Sequence, residues 1–197
     1  MLLLDRPTGQ VEAGTPLTLA EYLGLPEDTR CEIVDGVLRP MVRPSKLHRR
    51  VQRRLASLLE GQLTEHLRVE EEEVVIFRTT PPEARIPDVV VFRPEADPRG
   101  ALNYTPAKDV LLAVEVVSQT TQTADRYEKP GEYARNGIPA FWRIELEPSI
   151  VVWVYRLVDG VYQDEGRFGR GDVITDPTLP WISVEVDHLL GDYADEA

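Results

Sequence analysis

Two apolar runs constrain this chain more than anything else in it: VVVF at 89–92 and VLLAVEVV at 110–117, the second interrupted once, by Glu115. Strands exposed on one face alternate apolar and polar residues, whereas strands covered on both faces read as nearly continuous aliphatic runs. The two segments therefore predict central strands of a sheet with other layers on both sides. Other elements arrange themselves around that pair. Thr18 can cap a short helix through Leu25, and RCEIVDGVLRPM carries two apolar arms about Asp35-Gly36, a pair suited to a tight hairpin with strands at 30–34 and 37–42. Ser45 can cap a helix reaching about His66, with Leu47, Val51, Leu55, Leu58 and Leu59 along one face that packs on the sheet.

RVEEEEVVIFR reads as one strand beginning in a polar stretch, and TTPPEA after it as a turn. Residues 125–136 are helical in pattern, with Pro130 placing the regular start near Lys129 and Gly137 fitting the end. FWRIEL and SIVVWVYRLVDGVYQ add strands, the last two joined at Asp159-Gly160, and WISVEV and VDHLLG close with a strand and a helical turn. The expectation is an α/β protein: a mixed sheet flanked by helices, with an N-terminal hairpin and extra C-terminal strands. Residues 1–17 read as a loose lead-in and 18–197 as one domain, in keeping with 197 residues and no internal repeat or linker.

Composition excludes several classes. Cys31 is the only cysteine, which removes a disulfide framework and any thiolate-rich metal site. The three histidines, His48, His66 and His188, lack the i, i+4 pairing of a helical zinc motif. No apolar stretch approaches the roughly 20 residues that cross a bilayer, and the N-terminus has no signal-peptide pattern, so a cytoplasmic protein without membrane contact is expected. The net charge of -12 argues against loose binding to nucleic acid. It is unevenly spread, however: from Val37 to Leu59 there is no acid, while Arg49, Arg50, Arg53 and Arg54 stand on the long helix. That run is either a phosphate-binding face or simply a solvated one.

Glu115 is the position that calls most strongly for an explanation. A carboxylate buried in a doubly covered strand needs a basic partner or a bound cation, unless it turns outward at a sheet edge. Asp88 follows Pro87 at the mouth of IPDVVVF, and if the two apolar strands are neighbours the two acids converge. Two carboxylates at close range repel unless a cation lies between them, and hard oxygen ligands suit Mg²⁺, or Mn²⁺ in its place. Lys129 is one of three lysines and follows Asp125 by four residues; its ammonium can stabilise charge on a phosphate, or merely pair with Asp125 or Glu128. Glu32, flanked by apolar residues in the hairpin, can add an oxygen to the site or face solvent. His48 can reach a phosphate or water, or lie on the helix surface.

Glu32 before an Asp-Gly hairpin, His48 on the following helix, IPDVVVF, VEVVS, and then DRYEK with Tyr133 and GIPAFWRI together resemble the Uma-type restriction endonuclease family over about Thr18 to Tyr155. That family is similar to the PD-(D/E)XK nucleases. The resemblance implies a mixed four-stranded central sheet and a Mg²⁺-dependent DNA endonuclease. Asp88 and Glu115 would be the metal ligands, Glu32 would support the site and Lys129 would be the catalytic lysine, with His48 and the arginines of the helix facing DNA. The superfamily motif has its lysine two residues after the acid, where this chain has Val117; the lysine is moved to the next helix. A homodimer is expected, since cutting a duplex takes two sites. Two rival expectations are a nuclease-like fold that binds or oligomerises without cutting, and a hydrolase of another phosphodiester.

Overall fold

The computed structural model describes residues 4–6, 9–11, 16–26, 29–63, 66–94, 101–117 and 123–191. Its centre is a six-stranded sheet built from β5 (Arg68–Glu71), β8 (Val89–Phe92), β10 (Val110–Val117), β11 (Ala140–Glu145), β12 (Val151–Val158) and β13 (Val161–Phe168), in the order β13-β12-β11-β10-β8-β5. Within this sheet, among the described residues, only β10 and β11 run parallel, and the crossover that this pairing requires carries α3 (Lys129–Arg135). Every residue of β10 is buried, in line with its unbroken apolar run.

Successive side chains of a strand point to opposite faces. On one face of the sheet Leu112, Val114 and Val116 of β10, with Val89 and Val91 of β8, pack against Val51, Leu55 and Leu59 of α2 (Lys46–Glu60) and Leu189 of α4 (Val186–Leu190). On the other face Val90 and Ala113 meet Tyr133 of α3 and Val75 of β6 (Val75–Thr79). That layer belongs to a second, five-stranded sheet, ordered β4-β3-β7-β6-β9, which also contains β3 (Cys31–Val34), β4 (Val37–Pro40), β7 (Pro82–Arg85) and β9 (Thr105–Pro106). Smaller pieces complete the chain: β1 (Leu4–Arg6) with β2 (Gly9–Val11), α1 (Leu19–Leu23), and β14 (Val173–Thr175) with β15 (Ser183–Glu185). Among the described residues no helix is long and apolar enough to cross a membrane.

Local chemistry explains most boundaries. Thr18 and Glu21 cap α1 reciprocally. Asp35 and Gly36 both take positive φ, 50° and 79°, at the β3–β4 turn, and Asp159 and Gly160 do the same between β12 and β13. Four expectations change. The single sheet becomes two. RVEEEEVVIFR is not one strand: the chain turns at Glu72, φ 54°, and its halves β5 and β6 enter different sheets. Four consecutive glutamates carry no alternation that would keep one face buried across them. TTPPEA is only partly a turn, because Ala84 is buried opposite Ile33 and draws Pro82–Arg85 into β7, with proline tolerated at the strand's first residue. Helix α2 stops at Glu60 before Gly61, not near His66. The lead-in includes the β1–β2 ribbon, whose three-residue strands are too short to show a period; the rest of residues 1–15, Ser118 and residues 192–197 lie outside the described residues.

Candidate active site

Pairing of β8 with β10 sets Val89 opposite Val114 and Val90 opposite Ala113, so Asp88 and Glu115 stand across from each other on one face. Asp88 is held tightly there. Its backbone N–H donates to the Val114 carbonyl (3.0 Å), Oδ2 accepts from the Val116 N–H (2.7 Å), and Oδ1 lies 2.8 Å from His48 Nε2. Ser45 caps α2 by accepting from the His48 N–H, so the helix start aims the buried His48 ring at this carboxylate; His48 Nδ1 is buried with no hydrogen-bond partner among the described residues.

The second sheet supplies the facing wall. Ile33 and Ala84 pair and point into a separate apolar cluster, which turns their neighbours Glu32 and Arg85 to the site. Helix α3 closes it with Lys129, Glu132 and Tyr133 on one face, by i, i+3 and i, i+4 spacing. Lys129 Nζ sits 2.8 Å from Glu115 Oε2 and 3.3 Å from both Glu32 Oε1 and Asp125 Oδ1. The Tyr133 hydroxyl donates to Glu115 Oε1. Arg85 makes a bidentate contact with Glu132 (2.7 Å each) and reaches Glu32 Oε2 at 2.7 Å, while Glu32 Oε1 also accepts from the Ile86 N–H at 3.2 Å. All of these groups except the fully buried Tyr133 line a cavity of about 380 Å³.

The charges inside do not balance. Glu32, Asp88, Glu115, Asp125 and Glu132 are buried around it against Arg85 and Lys129. Burial works against the Lys129 charge, but Glu115, Glu32 and Asp125 outweigh it and keep the ammonium protonated. Burial lifts Glu115 well above the usual carboxylate range; Lys129 pulls it down, and Asp125, Asp88 and Glu32 push it up again. Glu32 is pushed up by burial too, yet Lys129, Arg85 and the Ile86 N–H bring it below its ordinary value. Buried carboxylates around the cavity thus outnumber buried cationic side chains five to two, and the cavity can take further positive charge as protons or a metal cation.

The donor set fits a hard divalent cation. All of the surplus donors are carboxylate oxygens, and each oxygen of Asp88 and Glu115 accepts a single hydrogen bond, leaving a second lone pair. Among the described residues no three His, Cys, Asp or Glu side chains form a preformed shell. Mg²⁺ does not demand one, since it is commonly held by one or two carboxylates with water and phosphate oxygens completing the octahedron.

Asp88, Glu115, Lys129, Glu32 and His48 are thus brought together, and His48 is buried rather than on the helix surface. Arg49, Arg50, Arg53 and Arg54 are not part of the cluster. Arg49 bonds the Pro44 carbonyl at the mouth of the cavity, and Arg54 bonds the His188 carbonyl beside α4. The apolar side of helix α2 packs on the opposite face of the sheet. Arg85 and Glu132 escaped the sequence reading, although Arg85 stands between buried Ala84 and half-buried Ile86, and Glu132 follows Lys129 by one helical turn.

Known proteins resemble the chain in fold and in family. No curated protein matches the chain. A crystal structure described as "a putative nuclease belonging to DUF820 from Anabaena variabilis" superposes with a TM-score of 0.70 at 20% identity, covering 89% of this chain and 98% of that one. The likeness is one of fold. Residues 19–187 match the model of the Uma2 family, described as "Putative restriction endonuclease", and the chain belongs to that family.

Proposed function

We propose that the protein is a Mg²⁺-dependent endonuclease that hydrolyses DNA phosphodiester bonds at the Asp88–Glu115 cavity. The observation that carries this reading is the buried surplus of carboxylates in an open cavity, with Asp88 and Glu115 on neighbouring strands and only Lys129 and Arg85 as buried cationic side chains among the described residues. Family membership and the fold of the Anabaena protein support it.

Asp88 and Glu115 would hold the cation. Such an ion supplies Lewis-acid charge against the phosphate and makes a neighbouring water more acidic. The chain's own groups do the remaining work. His48 and the Val116 N–H fix the Asp88 carboxylate, and Tyr133 fixes Glu115, so both present defined lone pairs. Lys129, held at the cavity by Glu115, Glu32 and Asp125, would place its ammonium against the charge growing on the scissile phosphate. Arg85 keeps Glu32 and Glu132 in place and stays out of the Asp88–Glu115 pair. A water oxygen bonds to phosphorus and gives a proton up to solvent, the P–O3′ bond breaks, and O3′ takes a proton from solvent to leave as the hydroxyl.

The direct test is nicking of supercoiled plasmid with Mg²⁺. Wild type converts it to open-circular and linear forms, and Asp88→Ala reduces the rate by at least about a hundredfold, the usual scale for losing a group that stabilises charge in the transition state. Equal traces of nicking by the two proteins would remove this cavity from the chemistry.

A further inference from the structure

The cross-strand register carries the site's row further across the sheet. One residue beyond the Val89–Val114 pair, Asp88 comes level with Glu115; opposite Glu115 stands Arg143 on β11; opposite Arg143 stands Trp153 on β12; opposite Trp153 stands Arg167 on β13. Because strand partners in register share a face, all five side chains project from the same side of the sheet. The row begins in two carboxylates and continues as arginine, tryptophan, arginine.

Both guanidinium groups lie over the indole, Arg143 at 5.5 Å and Arg167 at 5.4 Å from the Trp153 ring. Stacking of this kind occupies the flat faces of a guanidinium and leaves its N–H edge for hydrogen bonds. A cavity of about 400 Å³ opens above the row, and its other wall is Arg126 and Tyr127, from the turn preceding α3. Ala124, Asp125 and Glu128 of that same turn line the active-site cavity. The two cavities are therefore separated by one turn of chain. Glu145 lies in the second cavity but is engaged by Arg126 in a bidentate pair (2.8 and 2.7 Å) and by Arg143 at 3.1 Å, with Glu147 the other acid of its wall. Tyr127 is 75% exposed, an unusual state for a tyrosine with no partner ring among the described aromatic contacts.

We propose that this Arg–Trp–Arg row, walled by Arg126 and Tyr127, is a track for a single strand of DNA leading to the carboxylate cavity. The guanidinium edges take backbone phosphates, and Tyr127 stacks on an unpaired base. The pairing of positive charge with an exposed aromatic ring is the chemistry by which proteins hold single strands without reading sequence. In an acidic chain the cavity is locally basic, with three arginines against Glu145 and Glu147. The inference rests on the proposed nuclease reading for the strand's destination, not for its binding.

The test uses a fluorescein-labelled single-stranded DNA of about ten nucleotides, within the span of such grooves, and reads anisotropy in EDTA so that no cleavage occurs. Arg167→Ala with Tyr127→Ala, both exposed positions, should weaken binding by roughly tenfold or more, the scale of losing one stacked base and one phosphate contact, and should lower the salt slope by about one. Arg53→Ala with Arg54→Ala on α2 should leave both unchanged. Asp88→Ala should bind as wild type does while failing to nick plasmid. Unchanged affinity and salt slope in the Arg167/Tyr127 variant, with thermal midpoints equal, would overturn the track and leave the nuclease reading standing. Weakened binding in that variant alongside full nicking by Asp88→Ala would uphold the track and overturn the nuclease reading.

Discussion

Strand β10 has two faces that solve opposite problems. Leu112, Val114 and Val116 meet α2 in a dry apolar layer, whereas one residue over, Glu115 carries a charge into an equally buried position. The first face is stable by itself. The second exists only because another sheet and α3 bring Lys129, Tyr133 and the Arg85–Glu32 pair to meet it, and even then negative charge is left over. A fold tolerates such a layer where the surplus has a use, and binding a cation is the use that the oxygen donors suit.

Removing the ammonium should separate the two faces most sharply. Lys129→Met leaves Glu32, Glu115 and Asp125 without their common counter-ion, a change expected to cost about 3–5 kcal/mol in urea unfolding without divalent ions. Part of that loss should return on adding Mn²⁺, while nicking stays at least about a hundredfold down. Wild-type stability in Lys129→Met would show that the charges are not coupled. On the dry face, Leu112→Ala should cost about 2–5 kcal/mol through transfer and cavity terms. Its nicking rate per folded molecule should match wild type; a fall comparable to that of Asp88→Ala would mean the faces are not independent.

A smaller effect lies in pH. The Glu32 carboxyl is below its ordinary value of 4.5 in the folded protein, so it contributes stability above about that pH and loses it as pH falls through the lower, folded value. Wild type should therefore lose stability relative to Glu32→Gln on acidification, and parallel curves from pH 6 downward would contradict the assignment. The smallest effect concerns Cys31, behind Glu32 on the other face of β3. Burial, then the Glu32 charge, pushes its thiol up to about 11. It should react negligibly with Ellman's reagent near pH 8 when folded and fully after denaturation; prompt reaction in the native state would place β3 outside the core.

Much of this was legible in the residues themselves. The unbroken run of β10 announced a doubly covered strand, and the single glutamate within it announced an unbalanced charge. Pro87-Asp88 became informative only once β8 and β10 were taken as neighbours, a step that needed the family resemblance or the coordinates. Arg85 and Glu132 stayed hidden because a salt bridge between β7 and α3 spans 47 positions and leaves no local pattern. The division of RVEEEEVVIFR between two sheets was hidden too, since strand periodicity does not say which sheet a strand joins. The Arg143–Trp153–Arg167 row is invisible in sequence for the same reason: its members meet through register alone.

Anomalous diffraction from crystals soaked in Mn²⁺ tests the central claim most directly. The account predicts one strong peak within about 2.3 Å of an oxygen of Asp88 and of Glu115, the reach of a bond to a hard cation. A peak confined to exposed carboxylates, with the Lys129 ammonium still seated between Glu115, Glu32 and Asp125 at saturating ion, would contradict it.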